Sequence, residues 1–292
     1  MRGSRTVLGP DEVSGMTEST MDVPSCNTLE LERDGDWLTV WLARPAARNA
    51  LSAQMAAELR AVFERLKTAR NVRGVTLRGR GGVFCAGGDL KGFRALGDAA
   101  SHADVAAMSR ETGVLLDLIN ETPQVLVVLV EGAATAGGFG MTCAADVVAV
   151  TKDALFAMTE TSIGIPPAQI APFVVERLGL RIARRLMLTA DRFDGVEAGR
   201  MGLADFVAGS VAELDEFERG LRAKVRRCAP GANAETKALA LATRRLDRAA
   251  MIDLAADSFA RCLLGEEGRE GVASFLERRP PAWAAGSDDR DR

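Results

Sequence analysis

Three short segments combine small residues with groups able to stabilise or move charge. The first is Phe84-Cys85-Ala86-Gly87-Gly88-Asp89-Leu90. A strand there ends in small residues and an acid opens the next helix. Gly87 and Gly88 let the backbone approach a ligand closely, and Asp89 can cap the following helix. The second covers residues 130–141, Val-Glu-Gly-Ala-Ala-Thr-Ala-Gly-Gly-Phe-Gly-Met. An apolar strand feeds a glycine-rich turn and a helix, whose first N–H groups and positive dipole end can hold an anion. Its spacing is not the dinucleotide Gly-x-Gly-x-x-Gly, and it lacks the lysine of a P-loop. The third covers residues 156–167 and places Glu160 alone among apolar and small residues. Burial would raise the pKa of that carboxyl and make it a base near neutral pH. Each segment also has a plain structural reading: a tight turn with an N-cap, close helix–strand packing, and a surface acid at a strand end.

The surrounding pattern is a series of strands, glycine-rich turns and helices. Residues 37–42 read as a strand, stopped by Arg44-Pro45. Ser52 is a plausible N-cap for a helix in which Met55, Leu59, Val62, Phe63 and Leu66 recur at helical spacing. Further strands are expected at 72–77, 125–131, 146–151 and 155–158, with a helix near 105–121. The run at 125–130 is too apolar to be anything but buried. From Arg181 onward the pattern is nearly all helical. Asp194 caps a short helix with Glu197 at its third position and Gly202 at its end. Longer helices are expected near 211–227, 234–245 and 251–264. The fold class is therefore α/β with crossover connections, followed by a helical layer. The expected division is a disordered leader at 1–25, an α/β core at 26–205, a helical region at 206–283 and a loose tail at 284–292.

Composition narrows the chemistry. The chain has 292 residues, 47% of them hydrophobic, and a net charge of −3. That acidic balance argues against nucleic acid as a partner. No stretch reaches the ~18 apolar residues of a membrane span. The lone His102 rules out sites needing several histidines and sits among polar neighbours, as at a solvated loop or helix start. Five scattered cysteines without ligand spacing read as reduced thiols serving as small hydrophobes in the cytoplasm, with no metal implied.

In order along the chain, these segments resemble the crotonase (enoyl-CoA hydratase/isomerase) superfamily from about Leu31 to Trp283. The family's opening is matched by residues 41–52, Trp-Leu-Ala-Arg-Pro-Ala-Ala-Arg-Asn-Ala-Leu-Ser. Residues 84–90 look like its first oxyanion loop and 132–140 like its second. Residues 188–203 match the short helix after the core, and 271–283 its C-terminal signature. Residues 160–176 look like those of bacterial methylglutaconyl- and isohexenylglutaconyl-CoA hydratases.

The resemblance implies a spiral of β-β-α units, C-terminal helices that complete a trimer or hexamer, and an acyl-CoA thioester substrate. Coenzyme A then belongs to the substrate, and no separate cofactor is implied. The backbone N–H groups of Gly88 and Gly137 would polarise the thioester carbonyl and Glu160 would transfer the proton. Ala86, Gly88, Asp89, Leu90, Lys91, Gly137 and Gly140 would line the substrate. One departure stands out. Hydratases of this family use two glutamates, and the earlier one falls at Gly140. Its missing side chain would leave space, or a water held by Thr161, Ser162 or Gln169; space would suit a 3-branched acyl group. Hydration of an enoyl-CoA leads, with double-bond isomerisation by Glu160 alone as the runner-up. Decarboxylation, thioester hydrolysis and a non-catalytic or RNA-binding relative come after these.

Overall fold

The computed structural model describes residues 24–89, 92 and 100–284. Its main sheet has six strands: β1 (Leu29–Asp34), β2 (Trp37–Leu42), β3 (Gly74–Gly79), β4 (Val125–Val130), β6 (Val147–Thr151) and β9 (Phe206–Ala208). Their spatial order is β1-β2-β3-β4-β6-β9. β1 and β2 form an antiparallel hairpin, and every other pairing in this sheet is parallel. A smaller sheet joins β5 (Ala133–Thr135), β7 (Leu155–Ala157) and β8 (Arg192–Asp194). Successive strands β4 and β5, then β6 and β7, thus divide between two layers before a helix follows. These are the β-β-α units of the expected spiral.

β4 is wholly apolar because both its faces are covered. Leu126, Val128 and Val130 join the main core, while Val127 and Leu129 face a second cluster with Trp37, Ala149, Leu214 and Val225. The main core is closed by α1 (Ala53–Leu66), whose Met55, Leu59, Val62, Phe63 and Leu66 are all buried. Ser52 caps it by accepting from the Met55 N–H. Next along the chain are α2 (His102–Asn120), α3 (Gly137–Cys143), α4 (Ala171–Thr189) and α5 (Gly195–Met201). His102 is exposed in the first turn of α2, which Ser101 caps. Asp194 caps α5 through the Glu197 N–H, and Gly202 ends it in a left-handed conformation.

Several expectations shift. β1 reads Leu-Glu-Leu-Glu-Arg-Asp, too charged to announce itself, and is held as an edge strand by pairing with β2 alone. The second parallel strand lies at Gly74–Gly79 rather than 72–77. As expected, the stretch after Arg181 is nearly all helical, apart from two three-residue strands. α4 begins at Ala171, and β8 and β9 interrupt the helices where each finds a strand edge to extend. The main sheet therefore runs past residue 205, and α6 (Val211–Arg226) lies on its outer face. The chain continues through α7 (Pro230–Ala242), α8 (Arg248–Leu264) and α9 (Glu266–Glu277). Most of the leader and tail, residues 1–23 and 285–292, fall outside the described residues. No helix among the described residues is long and apolar enough to cross a membrane.

Candidate active site

β3, β4 and β6 are parallel neighbours, so their C-terminal ends meet at one edge of the sheet. The segments that leave these ends are laced to one another. Cys85, beyond β3, forms a parallel bridge with Ala134 of β5, and β5 pairs in parallel with β7. Cys85 N–H donates to Ala133 O and Thr135 N–H to Cys85 O, both at 2.9 Å. The two glycine-rich turns are thereby pressed together. Gly87 has φ 93°, and a β-carbon there would stand 2.7 Å from Ala136 Cβ. One at Gly138 would stand 2.6 Å from Cys85 O. Neither position can hold a side chain without moving the other turn.

The first turn is also fixed from its outer side by residues 44–51. Ala86 N–H donates to Arg48 O at 3.0 Å, Leu51 N–H to Gly87 O at 2.7 Å and Asp89 N–H to Leu51 O at 3.1 Å. The fully buried Asn49 donates from its amide to the carbonyls of Arg80 and Val83, and its Oδ1 accepts from the Arg44 N–H. Asp89 pairs with Arg44 at 3.1 Å. The residues it was expected to cap, including Leu90 and Lys91, lie outside the described ones. Among the described residues, neither the Gly88 nor the Gly137 N–H donates to an acceptor. Both residues are partly accessible. Gly137 is the first residue of α3, where no intrahelical acceptor exists.

β7 ties the segment that leads to Glu160 to the second of these turns. Ala136 N–H donates to Ala157 O at 2.9 Å, and Glu160 follows three residues later in a 3₁₀ turn, Glu160–Ile163. Its Oε2 is buried and, among the described residues, has no hydrogen-bond partner. Burial raises the carboxyl's pKa, and a hydrogen bond from its own N–H opposes this in part. Burial pushes Cys85 up to about 11 and raises Cys143 as well, so both stay protonated and act as small hydrophobes.

Among the described residues, two free backbone donors and one desolvated carboxyl are thus carried by segments whose backbones are hydrogen-bonded to one another. The sequence model of the enoyl-CoA hydratase/isomerase family matches residues 34–286. The chain belongs to this family.

Its relatives agree in sequence and in fold. Pseudomonas aeruginosa AtuE is 47% identical, with a TM-score of 0.86 over 88% of this chain and 100% of that one. An enoyl-CoA hydratase/isomerase from Marinobacter aquaeolei is 42% identical, with a TM-score of 0.84 over 89% and 100%. Carnitinyl-CoA dehydratase of Proteus mirabilis is 32% identical over 262 residues, 88% of this chain and 98% of that protein. The protein is thus an acyl-CoA-processing enzyme of the crotonase type.

Within the family frame, Gly140 corrects an expectation. It lies buried one turn into α3 but opens no space. A β-carbon there would stand 2.3 Å from Ile170 Cγ2 and 2.8 Å from Ile170 Cβ. The Ile170 side chain, 4% exposed, fills the place where the family's earlier glutamate would start. The polar candidates are engaged elsewhere. Thr161 donates to Met187 O, Ser162 to Thr159 O, and Gln169 to Ser109 Oγ on α2. Sequence reasoning read Arg44 and Asn49 only as parts of a strand break and the family opening, and gave Ile170 no role of its own. Only Asn49 had a signal, as a polar residue between a Pro break and a helix cap.

Proposed function

We propose that this enzyme hydrates an α,β-unsaturated acyl-CoA, with Glu160 as its only proton-transferring side chain. The Glu160 carboxylate takes a proton from water as the water oxygen bonds to the β-carbon. The C=C electron pair moves toward the thioester, and the enolate oxygen is held by the Gly88 and Gly137 N–H groups. Glu160 then returns the proton to the α-carbon, and one water has been added. The observation that carries this reading is the buried Glu160 Oε2, without a partner among the described residues, on a segment tied through Ala157 and Ala136 to the turn that bears the free Gly137 N–H. A desolvated carboxyl is suited to both halves of the cycle, because its pKa is drawn toward the working pH. Coenzyme A enters as part of the substrate, and no separate cofactor is invoked.

A second reading is favoured by Ile170. Where a second carboxylate would hold water there is an apolar side chain. One carboxyl suffices to carry a proton between the α- and γ-carbons, so double-bond isomerisation fits the same groups. The glutaconyl-type substrate rests on the resemblance of residues 160–176 alone, since the room expected at Gly140 is taken. The deciding experiment tracks the enoyl-thioester absorbance with linear, 3-branched and glutaconyl-type CoA thioesters. Loss of conjugation supports hydration and gain supports isomerisation. No change with any of them refutes both and favours a binding role.

A further inference from the structure

Ala136 lies where three parts of the site meet. Its N–H donates to Ala157 O at 2.9 Å, on the strand that leads to Glu160. Its carbonyl accepts from the Gly140 N–H at 3.0 Å and closes the first turn of α3. Its methyl covers the first glycine turn, so closely that a β-carbon at Gly87 would be 2.7 Å away. The backbone at Ala136 has φ 48° and ψ −119°, a region that a β-carbon makes unfavourable and glycine enters freely. The ψ angle of residue 136 turns the peptide plane that carries the Gly137 N–H. Its value therefore sets where that donor points. A glycine would carry this conformation without strain; what alanine adds is the methyl wedged against the turn of Gly88.

We infer that Ala136 is a positioning residue for the reaction proposed above. Its methyl sets the separation of the two turns, and its strained backbone aims the Gly137 N–H at the point the Gly88 N–H also faces. The inference rests on the oxyanion role of those two groups. Relief of the strain by glycine leaves the 136–137 peptide free to turn. A donor misplaced by about an ångström costs up to ~100-fold in rate.

The test compares Ala136→Gly with Ala136→Ser, which keeps a β-carbon. Ala136→Gly should keep or raise the Tm, leave KM within about twofold and lower kcat by ~10–100-fold. Ala136→Ser should keep most of the turnover. A second readout is the infrared carbonyl band of bound butyryl-CoA labelled with ¹³C at the thioester carbon, a saturated thioester that cannot react. The wild type should move this band to lower frequency than in free butyryl-CoA. Ala136→Gly should lose much of that displacement, and Ala136→Ser should keep it. If the wild type shows no displacement, the oxyanion reading fails and the inference falls with it. A wild-type displacement matched by full kcat and full displacement in Ala136→Gly overturns the inference alone. So does a lower Tm in Ala136→Gly with activity that serine fails to restore, since that is merely structural damage.

Discussion

Glu160 is kept ready by what surrounds it. Burial holds its folded pKa above the ordinary glutamate value. At pH values between the two, the folded protein keeps a proton that the unfolded chain has lost. Stability therefore falls as pH rises from the unfolded value through the folded one. Above that window Glu160 carries a charge with one oxygen that no described residue satisfies. Glu160→Gln removes the charge and keeps the shape. It should lower kcat by ~10²–10⁴-fold while CoA thioesters still bind. It should also raise the Tm at neutral pH by about 2 °C, as when an active-site strain is relieved. In the wild type, kcat should decline on the acid side with a midpoint above the ordinary glutamate range. Full activity in Glu160→Gln, measured against a thermal melt of the same sample, would remove the single-base mechanism.

The short helix α3 joins the free Gly137 N–H, the proposed oxyanion donor, at one end to the apolar block formed by Gly140 and Ile170. Gly137 is its first residue, a position that tolerates proline because no intrahelical bond is lost. Gly137→Pro thus removes one donor and spares the helix, though it also restricts Ala136. Turnover should fall ~100-fold or more with the circular dichroism spectrum retained. Unchanged turnover in a folded variant would exclude this N–H from the oxyanion hole. Gly140→Glu is a different case. Its new side chain must displace Ile170, so it should cost ~1–3 kcal/mol of stability and gain no activity. Adding Ile170→Ala should recover part of that loss. A denaturant melt in which the single variant is as stable as wild type would show that Ile170 yields easily, and the block would not be one.

Among the described residues, the last two long helices carry several strongly exposed apolar side chains. On α8 and α9, Phe259, Leu264, Phe275 and Leu276 are all more than two-thirds exposed. An apolar face of this kind marks an interaction surface. On the family resemblance, we propose that these side chains pack between subunits. We expect a trimer or a dimer of trimers, with Phe275→Glu shifting the population toward monomer. Light scattering that gives a monomer for the wild type at micromolar concentration would refute the assembly. The C-terminal helices are already tied to the core within one chain. Lys237 pairs with Asp146 and donates to Gln124 O, and Arg73 donates to the carbonyls of Cys228 and Trp283.

What the sequence determined by itself was local or periodic. The apolar run of β4, the buried stripe of α1, the caps at Ser52 and Asp194 and the order of the glycine turns are written in adjacent residues. Helical spacing, strand alternation and cap chemistry act over a few positions, so no distant contact is needed to read them. Glu160 was visible as the one acid in an apolar stretch. The tertiary structure decided the rest, through contacts between residues far apart in the chain. β1 and β9 are strands only because a neighbouring edge supplies their hydrogen bonds. Asn49 matters because the carbonyls of Arg80 and Val83 come to it. Gly140 looked like an opening until Ile170, far along the chain, was found to fill it. Ala136 shows the limit most clearly. Its positive φ is imposed by Ala157 on one side and Gly87 on the other. An alanine carries no intrinsic preference for that conformation.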